Sequence, residues 1–190
     1  MGKLAVFNSV TLDGYFSGVG GDLGWAHDNA DEEWNDFVSG NASGGGTLLF
    51  GRITYDMMAG FWPTAEAMKS MPTVATAMNE LPKIVFSRTM KRAEWNNTRV
   101  VRGDIAAEVR SMKSAPDADL VIFGSGTIVS QLAQEGLIDS YQIVLVPVAL
   151  GRGRTMFEGL RDPVKLRLVS TRSFRNGNVL LEYGPGRMKD

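Results

Sequence analysis

The chain has 190 residues, of which 44% are hydrophobic. This is enough for one substantial core, so we expect a single domain over residues 1–190. The formal net charge is -1 and the 20 basic residues are scattered, which excludes the electrostatic footprint of a nucleic-acid-binding protein.

The same composition excludes several kinds of chemistry. There is no cysteine and only one histidine, His27, so disulfides, cysteine nucleophiles and multi-histidine metal sites are excluded, and we expect no metal. No apolar run reaches the length of a membrane span, and the N-terminus is too quickly polar for a signal peptide. We therefore expect a soluble, cytoplasmic protein with no membrane partner.

The chain begins with a strand followed by a long loop. Residues 3–10 are apolar and β-branched, which predicts a strand, and Asp13-Gly14 predicts the turn after it. The glycine-rich stretch 15–29 disfavours a regular element, yet it holds aromatic side chains that are costly to leave in water, so we expect it to act as a lid. Asn29 and Glu32 have capping-box spacing and predict a helix that ends near Gly40.

A strand at residues 47–50 runs directly into Gly51-Arg52-Ile53-Thr54, which opens a helix. Arg52 and Thr54 offer a guanidinium and a hydroxyl in its first turn, where an anion could dock. Met57 and Met58 follow, and the alternative is that this helix simply packs its apolar face on the sheet.

The middle of the chain predicts a helical connection at residues 65–81, with Pro72 near its middle, and then a buried strand at 82–86. Ser87 and Arg88 at the end of that strand could hold a phosphate monoester such as the 2′-phosphate of NADPH, or they could form a solvated turn. A short strand at 97–101 follows, and Asp104 is predicted to cap a helix that runs through Lys113.

A second strand, glycine turn and helix lies at residues 120–135. The apolar strand 120–123 stops at Gly124-Ser125-Gly126, a helix starts at Thr127, and Gly136 is placed to end it. Backbone N–H groups and the helix dipole at such a junction suit a pyrophosphate. The G-x-G-x-x-G fingerprint is not met, and a plain glycine hinge remains the alternative.

The C-terminal third reads as β-structure. Residues 138–150 form the longest β-like run, in which Pro147 implies a bulge or an edge. Residues 166–174 and 179–183 flank Asn176-Gly177, a strong hairpin signal. The predicted fold class is therefore α/β: a mixed, mainly parallel sheet with helices on both faces and antiparallel C-terminal strands.

Several of these segments together resemble the dihydrofolate-reductase-like superfamily. The likeness is closest to the C-terminal reductase domain of the bifunctional riboflavin-biosynthesis deaminase-reductase and to its stand-alone relatives. The segments that carry it, in order, are 9–14 (SVTLDG), 21–25 (GDLGW), 51–55 (GRITY), 87–88 (SR), 124–126 (GSG) and 146–153 (VPVALGRG). The zinc deaminase domain of the riboflavin enzyme is not found in this chain, so the resemblance concerns the reductase step alone.

The resemblance implies an NADPH-dependent reductase, usually a homodimer, that passes hydride to a small heterocycle held over the sheet. It implies cofactor-phosphate contacts at the two glycine junctions, namely Gly51, Arg52, Thr54, Gly124, Ser125, Gly126, Thr127 and Ile128. Ser87 and Arg88 would meet the 2′-phosphate, and Asp13 would line the side where substrate and nicotinamide meet.

Dihydrofolate reductases also use one carboxylate on the first helix to bind and help protonate the pterin. Asp31, three residues before Trp34, matches it best by spacing, although an acidic residue in a first helical turn usually faces water. Trp34 and Tyr55 are further candidates for substrate contact.

The predicted function is thus NADPH-dependent reduction of a small pterin-like or pyrimidinone-like heterocycle, as in 5-amino-6-(5-phosphoribosylamino)uracil reductase or dihydrofolate reductase. The main alternative is a catalytically inactive, dimeric nucleotide-binding protein of the same fold.

Overall fold

The structure is a computed structural model that describes residues 2–115 and 118–186, and an eight-stranded sheet forms its centre. The strands are β1 (Leu4–Thr11), β2 (Tyr15–Ser17), β3 (Thr47–Gly51), β4 (Lys83–Phe86), β5 (Thr98–Val101), β6 (Leu120–Phe123), β7 (Ser140–Val146), β8 (Arg154–Thr155), β9 (Leu166–Ser173) and β10 (Val179–Pro185). The helices are α1 (Glu32–Ala42), α2 (Arg52–Phe61), α3 (Ala65–Ser70), α4 (Pro72–Glu80), α5 (Ile105–Ser114) and α6 (Gly126–Gln134).

The large sheet is mainly parallel. Its order is β5-β4-β3-β6-β1-β7-β10-β9; the strands from β5 to β7 are parallel neighbours, and β10 and β9 add antiparallel pairs. Strand β1 is central, with Val6 beside Ile122 of β6 and Tyr141 of β7. The predicted fold class is confirmed, including the antiparallel C-terminal strands.

Helices cover both faces of the sheet because the strands are apolar on both sides. On one face, Val109 of α5 and Leu132 of α6 pack in the same core as Val6. The other face is covered by α1 to α4, where Phe7 packs with Trp34 and Phe50 packs with Tyr55. The C-terminal ends of all the parallel strands therefore meet at one open edge between two helical layers.

The first helix starts differently from the prediction. Asn29 and Glu32 were expected to form a capping box, but the N-cap is Asp31, whose Oδ1 accepts the Trp34 N–H at 2.8 Å. Asp31 lies three residues before Trp34, the spacing at which an N-cap side chain reaches the third helical N–H. The helix then continues to Ala42, beyond the predicted end near Gly40.

Two prolines also divide the chain differently from the prediction. Residues 65–81 form two helices, because Pro72 lacks an N–H and occupies the first position of α4. Strand β7 ends at Val146, so Pro147 follows the strand and causes no bulge within it.

The glycine-rich stretch 15–29 is more ordered than a plain loop. It contains β2, which pairs with β8, and two single 3-10 turns at Val19–Gly21 and Gly24–Ala26. Trp25 is buried in the same cluster as Val144 and Phe174, as the free-energy cost of exposing an aromatic ring to water predicts.

Candidate functional site

The two strand, glycine and helix junctions lie side by side at the C-terminal edge of the sheet. Strands β3 and β6 are parallel neighbours, so α2 and α6 both begin at this edge. A hydrogen bond joins them, since the Gly51 N–H donates to Ser125 Oγ at 2.8 Å. Contact is so close that a Cβ added to Gly124 would lie 2.7 Å from Thr54 Cγ2. The structure thus brings the two predicted junctions into one site.

These two helices also begin without a capping side chain. Helices α1, α3 and α5 have Asp31, Thr64 and Asp104 as N-caps that accept a backbone N–H. No side chain caps α2 or α6; α4 lacks a cap as well, but there Pro72 removes one of the N–H groups. In α6 the Ile128 N–H is already used, because it donates to the Ser125 carbonyl oxygen at 2.9 Å. The remaining first-turn N–H groups and the positive ends of two helix dipoles at the shared edge suit an external anion.

The turn before α6 has an unusual backbone. Gly124 has φ +74°, and Ser125, which carries a side chain, has φ +61°. A left-handed residue with a side chain costs free energy and persists only where its surroundings hold it. Asn8 of β1 supplies part of that hold, because its Oδ1 accepts the Gly124 N–H at 2.9 Å. On the other side, Gly126 lies against the Phe16 ring and the Met156 carbonyl oxygen.

Cationic side chains flank this edge. Arg52 is exposed and pairs with Asp56 one turn along α2, with Nε 2.5 Å from Oδ2. Arg88 follows β4, is exposed, and forms no ion pair with any residue of 2–115 or 118–186. Ser87 Oγ accepts the Met90 N–H at 3.1 Å, which leaves its own O–H free to donate.

Asp13 is held by the backbone of a neighbouring loop. Its carboxylate accepts the Thr11 hydroxyl at 2.6 Å and the Gly151 N–H at 2.7 Å, and Leu150 N–H donates to it as well. The Thr11 hydrogen bond, followed by that from Gly151, lowers the pKa of this carboxyl below its usual value. Asp13 therefore fastens the end of β1 to residues 150–151, and a direct contact with substrate stays a prediction.

The other predicted substrate contacts lie deeper. Trp34 is buried and packs edge-on against Phe174. Tyr55 is buried too, and its hydroxyl accepts the Trp95 N–H at 3.0 Å. Asp31 is only partly buried and has its capping bond. Their proposed contact with substrate remains a prediction, as does the catalytic role of Asp31.

The side of α2 that faces β6 carries Met58 and Phe61, which the sequence analysis did not propose as substrate contacts. Thr54, Met58 and Phe61 recur at helical spacing on one side of α2, and the contact of Thr54 with Gly124 turns that side toward β6. Phe61 is 37% exposed, and Phe123 of β6 is only partly buried. On the same face, α1 presents Phe37 next to Phe7. This is apolar surface against which a flat ring can stack.

A separate cleft of about 1070 Å³ lies on the opposite side of α2. Arg52, Asp56 and Tyr55 line it together with Lys91 and Trp95 of the segment after β4. Its lining includes Arg52 and Thr89 but neither Gly51 nor Gly124, so this cleft does not coincide with the glycine junctions.

Metal-binding groups are not assembled at this edge. Within the described ranges, 2–115 and 118–186, the structure has no cluster of three or more His, Cys, Asp or Glu side chains that could hold a metal ion.

In the same ranges, no helix has the length and apolar character needed to cross a membrane.

The sheet order and the flanking helices define a dihydrofolate-reductase-like fold. Dihydrofolate reductase from Enterococcus faecalis, in complex with NADP(H) and RAB-propyl, superposes with a TM-score of 0.64 at 16% identity, over 97% of both chains. The chain belongs to the RibD C-terminal domain family, which it matches over residues 3–180.

Two further proteins resemble the chain over nearly its whole length. The uncharacterised protein YyaP of Bacillus subtilis (strain 168) is 28% identical over 175 residues, which cover 92% of this chain and 90% of YyaP. The structure of a proposed riboflavin biosynthesis protein from Shewanella sp. PV-4 has a TM-score of 0.74 at 22% identity, and the match covers 97% of this chain and 99% of that one. The resemblance inferred from sequence motifs is confirmed.

Proposed function

We propose that this protein is an NADPH-dependent reductase that transfers hydride to a small heterocyclic substrate. The observation that carries the proposal is the pair of uncapped helix N-termini at one sheet edge, tied together by the Gly51 to Ser125 hydrogen bond. Two adjacent N-termini suit a pyrophosphate, which has two linked anionic groups. The complex of the Enterococcus faecalis enzyme with NADP(H) supports the choice of ligand.

The chain's own residues would hold the cofactor through its phosphates. First-turn N–H groups of α2 and α6 would donate to the pyrophosphate, since no side chain competes for them. The absence of side chains at Gly51 and Gly124 leaves backbone close to the ligand. Ser87 and Arg88 would bind the 2′-phosphate, because the Ser87 O–H can donate and the Arg88 guanidinium has no ion-pair partner within residues 2–115 and 118–186. This contact favours NADPH over NADH.

The bound nicotinamide would supply the hydride. The chain would then act mainly by positioning, and the apolar side of α2, with Met58 and Phe61, would stack the substrate ring. Asp31 would act as the proton donor through Oδ2, because a protonated carboxyl can donate from one oxygen while Oδ1 still accepts the Trp34 N–H. The alternative, an inactive nucleotide-binding protein, keeps the phosphate contacts and lacks turnover.

Cofactor binding is tested by titrating the protein with NADPH and NADH and following energy transfer from its 4 tryptophans. We expect saturable binding that is tighter for NADPH, because the 2′-phosphate adds a charge-assisted contact of about 1.5–3 kcal/mol. Arg88→Ala should weaken the binding of NADPH and leave the binding of NADH unchanged. Arg52→Ala should strongly weaken the binding of NADPH, because Arg52 lies in the first turn of α2.

The matched control is Arg110→Ala, which removes an exposed arginine of α5 paired with Glu135. It should bind both cofactors as the wild type does. Absence of binding at millimolar concentration of either cofactor would contradict the proposal. If NADPH binds but is not consumed with any pterin, pyrimidinone or quinone-like heterocycle, the inactive alternative holds.

We also propose that the protein is a homodimer built through its C-terminal strands from Tyr141 onward. Strand β9 is an edge strand, and Leu168 and Val169 on it are 51% and 58% exposed, which is apolar surface of the kind that a second chain covers. Light scattering should give twice the chain mass, and Leu168→Glu should give the monomer mass. Met68→Glu, at an exposed apolar residue of α3, is the control and should stay dimeric.

A wild-type chain that is monomeric at all concentrations would contradict the dimer without affecting the cofactor proposal.

A cytoplasmic location is proposed from the absence of cysteine, which suits a reducing compartment, and cell fractionation tests it.

A further inference from the structure

A single amide side chain is buried in the middle of the central strand. Asn8 of β1 is 6% exposed and lies among apolar residues. Its Oδ1 accepts the Gly124 N–H at 2.9 Å, and its Nδ2 donates to Met156 Sδ at 3.1 Å. A buried amide costs free energy unless it is hydrogen-bonded, and an apolar residue would fill this position at lower cost. The role of this amide therefore lies in the two groups to which it is hydrogen-bonded.

What it holds is the strained turn before α6. Gly124 and Ser125 are both left-handed, and no side chain caps the helix that follows them. Two side-chain hydrogen bonds secure the turn: Asn8 fixes Gly124 to β1, and Ser125 accepts the N–H of Gly51 at the start of α2. Together they set how the two helix N-termini are aimed relative to each other.

The second bond of Asn8 extends this arrangement to the glycine-rich stretch. Met156 directly follows β8, which pairs with β2, and Phe16 of β2 lies against Gly126. Asn8 thus contacts both the turn and the segment that packs over it.

We propose that Asn8 is a positioning residue for cofactor binding, which holds the Gly124 to Ser125 turn so that the N–H groups of α2 and α6 converge on the phosphates. This inference rests on the proposed function. The amide oxygen of Asn8 is already occupied by the Gly124 N–H. Asn8 would therefore act on the cofactor through the backbone that it orients, and not by direct contact.

The test is calorimetric titration of NADP⁺, which tolerates acidic buffer, into the wild type, Asn8→Leu and Asn8→Asp. Leucine has a similar size but no acceptor, so the affinity should fall about tenfold or more. Aspartate keeps the acceptor. While its carboxyl is protonated the variant should bind nearly as the wild type does, but once ionised it places a negative charge beside the Gly124 turn at which the phosphates would bind. Burial raises the pKa of such a carboxyl, so the ratio of the variant's dissociation constant to that of the wild type should rise with pH as the carboxyl ionises.

Asn79→Leu is the matched control. Asn79 also uses both ends of its amide, with Trp62 carbonyl oxygen and Trp95 Nε1, but it lies in α4, away from the shared edge. It should lose stability without changing NADP⁺ affinity. The Gly124 amide donates to Asn8 in the wild type, so its hydrogen exchange should be faster in Asn8→Leu and unchanged in Asn79→Leu.

The outcomes separate the two proposals. If the wild type binds NADP⁺ and Asn8→Leu binds it equally well, the role of Asn8 is wrong while the reductase proposal stands. A pH-independent ratio for Asn8→Asp would also overturn the role of Asn8. If the wild type binds no NADP⁺, the reductase proposal fails and the role of Asn8 fails with it.

Discussion

Replacing Gly124 by alanine should abolish tight NADPH binding. Gly124 has φ +74°, which costs an alanine about 1–2 kcal/mol. Its new Cβ would also lie 2.7 Å from Thr54 Cγ2, and we expect the turn and α2 to move apart to relieve this contact. Separation of the two helix N-termini removes the convergence on which the proposed pyrophosphate site depends, so we expect affinity to fall at least about tenfold.

Gly136→Ala separates the effect of backbone strain from the effect of the steric contact with Thr54. Gly136 has φ +63°, and a Cβ there would meet nothing within 4 Å. This variant should lose a similar amount of stability through the backbone while NADPH affinity is unchanged. Adding Thr54→Ser to Gly124→Ala removes the clashing methyl and should restore part of the affinity. Fluorescence titration measures binding and urea unfolding measures stability; equal affinity of the two alanine variants would contradict the prediction.

Replacing Lys83 by methionine should strongly destabilise the fold. Lys83 is 1% exposed, and its Nζ donates to the carbonyl oxygens of Met78 at 2.8 Å, Asn79 at 3.1 Å and Leu81 at 2.6 Å. These carbonyls lie at the C-terminal end of α4, where the helix leaves them without partners. Methionine preserves the chain length but cannot donate, so we expect a loss of about 2–4 kcal/mol in the free energy of unfolding.

The same lysine should make stability depend on pH. Burial lowers the pKa of Lys83 to about 8, against a usual value of 10.5. Between these values the unfolded chain holds a proton that the folded chain has lost, so the stability of the wild type relative to Lys83→Met should rise as pH increases through this interval. Lys69→Met, at an exposed lysine of α3, is the control and should change stability by less than about 0.5 kcal/mol. Equal urea midpoints for Lys83→Met and the wild type would contradict the role of Lys83.

Local sequence patterns were sufficient for most elements and for the fold class. Strands with apolar residues on both faces alternate with amphipathic helices, and this alternation predicts a parallel sheet between two helical layers. The Asn176-Gly177 pair and the C-terminal runs predict the antiparallel hairpin of β9 and β10, which the structure has. Asp104 was predicted as a helix cap from its position alone, and its Oδ1 does accept the Ala107 N–H.

The structure differs from the predictions at one helix start, at one short strand and on the exposed side of α2. Asn29 and Asp31 both suit an N-cap, and only the packing of Trp34 in the core decides at which residue the helix begins. Strand β8 was missed because its two residues form a strand only by pairing with β2, which lies far away in the sequence. The apolar character of α2 predicted packing on the sheet, and Tyr55 does pack there with Phe50, but Met57 and Phe61 are exposed.

The sequence by itself determined which residue types could bind phosphate, because glycine turns, helix starts, Ser87 and Arg88 are local features of the chain. Only the tertiary structure decided that residues 51 and 125 meet, since the order of β3 and β6 in the sheet depends on long-range pairing. It also decided which helix N-termini stay uncapped and that Asn8 holds Gly124 across 116 positions of the chain. A hydrogen bond between residues so distant leaves no local pattern; the lone amide in an apolar strand is its only trace in the sequence.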